Sequence, residues 1–224
     1  MPQTVTPPQK ARLPGLDAAA TPLIGLGLGL TGIVLGLRPR LAAYPLALTV
    51  LAALLYRDPR RRTPREAAAL FAPADGTVTA VDELYEHRFL HTDAVRLAIM
   101  TAPFDVPVQR SPAAGVISFV ESVAGEDRAL WDRGDSTHGE QLYIGITTVW
   151  GPLLLAIHAG SLTSHLVCHV HEGEQVGAGA RLATARFGAR AELALPADVV
   201  EALPLIGDRL RAGVTAIGQV RPRD

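Results

Sequence analysis

The chain has 224 residues, a formal net charge of −1 at pH 7, one cysteine and seven histidines. That length holds one domain with a sizeable core plus an appendage. The balanced charge argues against a nucleic-acid-binding protein, and the lone Cys168 excludes an intrachain disulfide framework and a cysteine-based metal cluster. Mean hydropathy is +0.22, high for a soluble protein, so an apolar segment has to be found.

Residues 1–20 are polar and Pro-containing, with Lys10 and Arg12, and read as a flexible cytoplasmic tail. They lack a charged stretch directly before an apolar run and a cleavage site, so no secretory signal is expected. Residues 21–56 hold two apolar runs, PLIGLGLGLTGIVLGL and LAAYPLALTVLAALLY, separated by Arg38-Pro39-Arg40. Each is roughly 16 residues, just under the ~17–25 of a spanning helix. Neither carries a polar stripe at 3.6 spacing, and a helix apolar all round lies in deep core or in lipid. Gly25, Gly27, Gly29, Gly32 and Gly36 would weaken a water-soluble helix but are common in membrane helices. The expectation is a membrane-associated helical hairpin.

Residues 57–70 form a basic linker containing Arg57, Arg60, Arg61, Arg62 and Arg65. Its place after an apolar segment favours contact with anionic headgroups over a merely solvated charge run. The heavier basic flank puts the C-terminal body on the cytoplasmic side. Arg38 and Arg40 in the turn equally fit a shallow hairpin in one leaflet.

From residue 71 to 224 the pattern becomes short apolar segments between Gly/Pro turns, the signature of a β-rich body. TVTAV (77–81) follows the turn PADG (73–76); further strands are expected at 95–100, 116–120 and 166–170. Residues 143–149 and 153–159 read as a strand pair joined at Trp150-Gly151-Pro152. Residues 127–140 read as a mobile loop and 198–210 as one short helix. GEQVGAG (173–179) and LRAGVTAI (210–217) look like two versions of one hairpin motif.

Chemistry-bearing residues are sparse. Asp75 precedes a glycine in a turn, where an Asp commonly caps its own backbone. His169 and His171 would share a strand face and could ligate zinc, but no HExxH or carboxylate-rich partner motif supports them. Ser161 and Ser164 lie near His158 and His165 without a nucleophile elbow. The Gly-rich EGEQVGAGARL lacks the helix and Lys of a phosphate loop. Similar hairpins occur in biotinyl and lipoyl carriers, but the only lysine here is Lys10.

Several motifs in sequence order resemble the short bacterial phosphatidylserine decarboxylases. Tyr56-Arg57-Asp58-Pro59, with Arg60 and Pro64, looks like the exit F-F-R-D-P-x-R-x-x-P. Pro73-Ala74-Asp75-Gly76-Thr77-Val78 is similar to P-A-D-G-x-V. Residues 99–106, then Arg110-Ser111-Pro112 and Gly115, resemble I-F-M-S-P-F-D-V-H-V-N-R-S-P-x-x-G. Ala159-Gly160, Val167-Cys168 and Glu172-Gly173 match A-G…V-C-x-V-x-E-G, and Phe187-Gly188-Ala189-Arg190 resembles F-G-S-R.

The resemblance implies a mainly β, decarboxylase-like body with barrel-sandwich-type hairpins plus the N-terminal apolar α-helical hairpin. In active members the chain cuts itself before the serine, which becomes a pyruvoyl cofactor and serves as electron sink for decarboxylation. This chain departs from the pattern at the chemistry. Ala189 stands at the serine position, after Gly188; Pro107 stands where D-V-H has its histidine; Thr163-Ser164-His165 replaces a basic segment. The family's processing Asp corresponds to Asp75. The implied reading is a membrane-associated, lipid- or partner-binding pseudoenzyme with no cofactor. The alternative is an active decarboxylase that makes phosphatidylethanolamine and CO2. Expected partners are a phospholipid membrane, anionic phospholipid within it, and no nucleic acid; assembly into homo-oligomers stays open, and the implied location is a bacterial-type cell membrane.

Overall fold

In a computed structural model of the chain, the residues described are 15–17, 20–64, 69–125, 139–160, 166–186, 188–201 and 203–220. Most of the tail, most of the 127–140 loop and the Thr163-Ser164-His165 segment lie outside them, as do Ser161 and Phe187. Two compact units are present, residues 1–60 and 61–224.

The first unit is an antiparallel helix pair, α1 (Ala20–Leu37) and α2 (Ala43–Leu55), joined by a 3-10 turn at Pro39–Leu41. The helices contact each other directly, and a side chain at Gly27 would run into the Thr49 hydroxyl. Thr31 and Thr49, two hydroxyl residues inside these helices, donate to the carbonyls of Gly27 and Pro45, each at 2.7 Å. Such back-bonding hides a hydroxyl within its own helix. Backbone bonds close the base: Asp17 N–H to the Tyr56 carbonyl at 2.9 Å and Asp58 N–H to the Gly15 carbonyl at 2.8 Å. The chain therefore enters and leaves the hairpin at one end. Leu26 and Ile33 are 73% and 63% exposed.

The body is mainly β, as expected. Its strands are β1 (Ala69–Phe71), β2 (Gly76–Glu86), β3 (Thr92–Thr101), β4 (Val108–Arg110), β5 (Gly115–Val123), β6 (Gln141–Thr148) and β7 (Gly151–Ala159). They continue as β8 (Leu166–Cys168), β9 (Gln175–Val176), β10 (Arg181–Ala185), β11 (Ala189–Pro196), β12 (Val200–Glu201), β13 (Arg209–Leu210) and β14 (Ala216–Val220). Eight form one sheet in the order β13-β2-β3-β11-β7-β6-β5-β9; β1-β14-β12 and β4-β10-β8 form two smaller sheets. Each ladder is antiparallel, and register shifts after Val78 and after Ile117 bend the large sheet. Alternate side chains of its central strands enter one core, where Leu97, Ile99, Ile117, Ile144, Ile146, Leu155, Ile157 and Leu193 are fully buried.

Two expectations are corrected. No helix forms over the described part of 198–210; β12 pairs with β14 and β13 with β2, with Pro204 and a positive-φ Gly207 between them. Tertiary pairing overrides the local apolar pattern. The two Gly-rich segments do turn the chain, but neither is a self-paired hairpin: β9 pairs with β5, while β10 pairs with β4 and β8. Instead the turns pack on each other. A side chain at Gly213 would come within 3.2 Å of the Gly179 backbone, and both glycines have positive φ.

The outer face of the large sheet carries charge. Glu192 on β11 lies 2.6 Å from Arg190 Nε, 3.3 Å from Arg96 Nη1 and 3.8 Å from His158 Nε2. Burial pushes the Glu192 carboxyl upward, but His158, Arg190 and Arg96 outweigh it, and its pKa is lowered. A depressed carboxylate stabilises the fold above its unfolded pKa, near 4.3 for Glu, and that contribution fades as pH falls through the folded value. Stability should therefore decline on acidification below about pH 4.3. Glu192→Gln should flatten that decline, as read from thermal unfolding across a pH series.

Candidate functional site

Four of the positions singled out in the sequence gather at one end of the large sheet. Ala189 begins β11 and faces Thr101 on one side and Ala159 on the other. It is 2% exposed and belongs to the core. Gly188 before it has φ +91, a conformation that favours glycine. A side chain there would press on the Thr101 carbonyl at 3.3 Å. Pro107 is buried, and its carbonyl accepts the Ala185 N–H at 2.9 Å. Ala185 ends β10, four positions before Ala189, so the Pro107 segment lies along the approach to β11.

Asp75 sits just before β2. Thr77 on β2 and Arg190 on β11 both face Met100 of β3, so one strand separates Asp75 from residue 189. Two ladder steps put the β2 and β11 backbones about 10 Å apart.

The turn-capping expectation for Asp75 gives way to a long-range arrangement. Both of its oxygens accept from Arg61, Oδ1 from Nη1 and Oδ2 from Nη2, the latter at 2.6 Å. Its Oδ1 also accepts the Ala212 N–H at 2.7 Å, while Arg61 Nη1 donates to the Ala212 carbonyl at 2.9 Å. The pair is 11% and 12% exposed. A bidentate guanidinium–carboxylate bond is strong and geometrically specific. Arg61 is thus a buried partner of the site, although sequence put it in a headgroup-facing run. A pairing between residues 61, 75 and 212 leaves no periodic trace in the chain.

Asp105 does a parallel job. Its Oδ2 accepts the Ala102 N–H at 2.9 Å and its Oδ1 faces Arg209 Nη2 at 2.5 Å. This holds the turn from β3 toward Pro107. His169 and His171 go to separate partners: His169 lies beyond β8 with Nε2 2.8 Å from the Thr184 hydroxyl, and His171 is exposed beside Glu174 at 2.9 Å. Among the described residues no group of three or more His, Cys, Asp or Glu is placed to hold a metal. Thr101, which sequence reading passed over, lies directly across from Ala189.

This end of the sheet thus presents a buried methyl at Ala189, a buried proline at Pro107 and a carboxylate at Asp75 occupied by an arginine. Removing one member of a buried pair leaves an uncompensated charge, at about 3–5 kcal/mol. Arg61→Ala should destabilise the purified chain by about that amount in thermal or denaturant unfolding, and adding Asp75→Asn should recover part of the loss.

Comparison with known proteins shows the family. The sequence profile of the phosphatidylserine decarboxylase family matches residues 48–218. A phosphatidylserine decarboxylase proenzyme of Symbiobacterium thermophilum is 34% identical over 210 residues, covering 93% of this chain and 97% of that protein. One of Salinibacter ruber is 36% identical over 180 residues, covering 78% and 79%. One of Carboxydothermus hydrogenoformans is 32% identical over 166 residues, covering 74% and 78%. With the profile spanning most of the chain and a 34% identical relative matched over 97% of its length, the chain belongs to the phosphatidylserine decarboxylase family.

Proposed function

We propose that this family member of phospholipid metabolism is membrane-associated and has lost pyruvoyl-dependent decarboxylation, so that it acts as a lipid- or partner-binding pseudoenzyme. The observation that carries the reading is Ala189. Forming a pyruvoyl group from residue 189 needs a side-chain oxygen that attacks the preceding carbonyl carbon and then leaves. A methyl offers neither step. The residues present at the site do not fit that group.

Two features of the site support the same reading. Pro107 has no ionisable side chain with which to accept or donate a proton. Asp75 directs both oxygens to Arg61 and one also to Ala212, which makes it a structural brace in this chain.

Membrane association rests on the helix pair. α1 is 18 residues with a hydropathy of 1.8, long and apolar enough to cross a membrane. α2 is shorter, 13 residues, or roughly 20 Å. Leucines point outward along both helices, among them Leu28, Leu35, Leu48 and Leu54. The closed base of the hairpin is consistent with entry and exit on one face of the bilayer.

An intact-mass spectrum tests the catalytic half. The expected result is one polypeptide of the sequence mass, inert toward carbonyl reagents, with no CO2 released from phosphatidylserine. Two pieces of 188 and 36 residues would overturn it and restore the active decarboxylase.

The membrane half has its own test. Carbonate extraction should leave the full chain in the membrane pellet, and removal of residues 21–56 should release it. Release of the full chain, or unchanged partition of the shortened one, would count against the hairpin as anchor.

A further inference from the structure

Thr101 closes β3 with a hydroxyl that has nothing to bond. The residue is 2% exposed, and its Oγ1 is buried without a hydrogen-bond partner. A buried hydroxyl left unpaired is destabilising, and each such atom in a folded protein calls for a reason.

The ladder supplies one. Thr101 is the register partner of Ala189. Both side chains point to the inner face: Ile99 and Ala191, two residues along their strands, are fully buried, while Met100 between Thr101 and Ile99 is exposed. Directly opposed side chains on one face have Cβ atoms about 4.5–5.5 Å apart, a gap that Thr–Ser pairs close with a hydrogen bond. A methyl at 189 cannot close it.

We propose that Thr101 is the positioning residue for an oxygen at position 189: the inner face of the sheet keeps a hydrogen-bonding seat for a side-chain hydroxyl there, and Ala189 leaves that seat unmatched. The bond would fix the rotamer of a hydroxyl at 189. Thr101 takes no proton and is not a base. It acts only through residue 189, by limiting where that oxygen can point. From the proposed function this takes only that residue 189 is the cleavage position.

The test is a comparison of melting temperatures in the full chain. Ala189→Ser alone should leave Tm within about 1 °C of the parent or raise it, because the new hydroxyl meets Thr101. In the Thr101→Val background the same Ala189→Ser change should lower Tm by about 4 °C or more, since its hydroxyl is then buried alone. Thr101→Ser should restore tolerance, a rescue that bulk alone does not give. A crystal structure of the Ala189→Ser chain should show Oγ within about 3.2 Å of Thr101 Oγ1. An equal Tm change in the Thr101 and Thr101→Val backgrounds would overturn the proposal, as would an Oγ turned toward Ala159. The proposed function fails differently, by the native chain appearing in two pieces on a gel.

Discussion

Strand β11 is bonded on both sides, to β3 from Ala189 to Pro196 and to β7 from Ala189 to Ala194. A strand held in this way has no freedom of register. A slip of one residue would turn Arg190 and Glu192 into the core and Ala189, Ala191 and Leu193 out of it. The ladder therefore fixes where residue 189 stands and which way its side chain points, whatever that side chain is. It also fixes how large it can be, because Thr101 and Ala159 flank it. Alanine satisfies every packing demand of the position. The position's packing and its hydrogen bonding are separate requirements: alanine fits the space and leaves the buried Thr101 hydroxyl without a partner.

The charged groups around this end of the sheet are arranged for cohesion. Asp75 ties the beginning of the body to the turn at 212–213, and Asp105 ties the turn after β3 to β13. Each carboxylate is met by an arginine and a backbone N–H. A buried carboxylate in this setting braces three segments at once, and its value is geometric: it holds Ala72 to Gly76 against the Gly213 turn, where the Gly213 N–H reaches the Ala72 carbonyl at 2.8 Å. The outer-face group around Glu192 does for β3, β7 and β11 what the Arg61–Asp75 pair does for the sheet end.

What could be read from the sequence was what local pattern controls. The apolar runs on either side of Arg38-Pro39-Arg40 became α1 and α2, and the 143–149 and 153–159 alternations became β6 and β7, paired through a tight connection at Val149-Trp150. The motifs around Asp75, Asp105, Gly188 and Ala189 were legible as a family pattern, and the profile match bears that out. What failed to show was set by distant partners. The 198–210 segment has the apolar content of a helix, yet β14 and β2 recruit its ends as strands. Arg61 looks like one arginine among several until Asp75 and Ala212 close around it. His169 and His171 have the spacing of a strand-face pair, but β8 stops at Cys168 and the two diverge. Thr101 carries no sequence signal; only the register across to Ala189 gives it meaning.

The pairing of β1 with β14 joins Ala69 to Gln219, and Asp75 waits on Ala212. The body's closing contacts thus depend on residues near its C-terminal end, whereas the hairpin is complete, base included, by Asp58. At about 5–20 residues per second of synthesis, the interval between the two is on the order of 10–30 s. During that interval the apolar helices are available as a finished element while the sheet cannot yet close. The order of emergence from the ribosome therefore separates the two units in time, with every contact partner of the hairpin present before the body's closing partners exist.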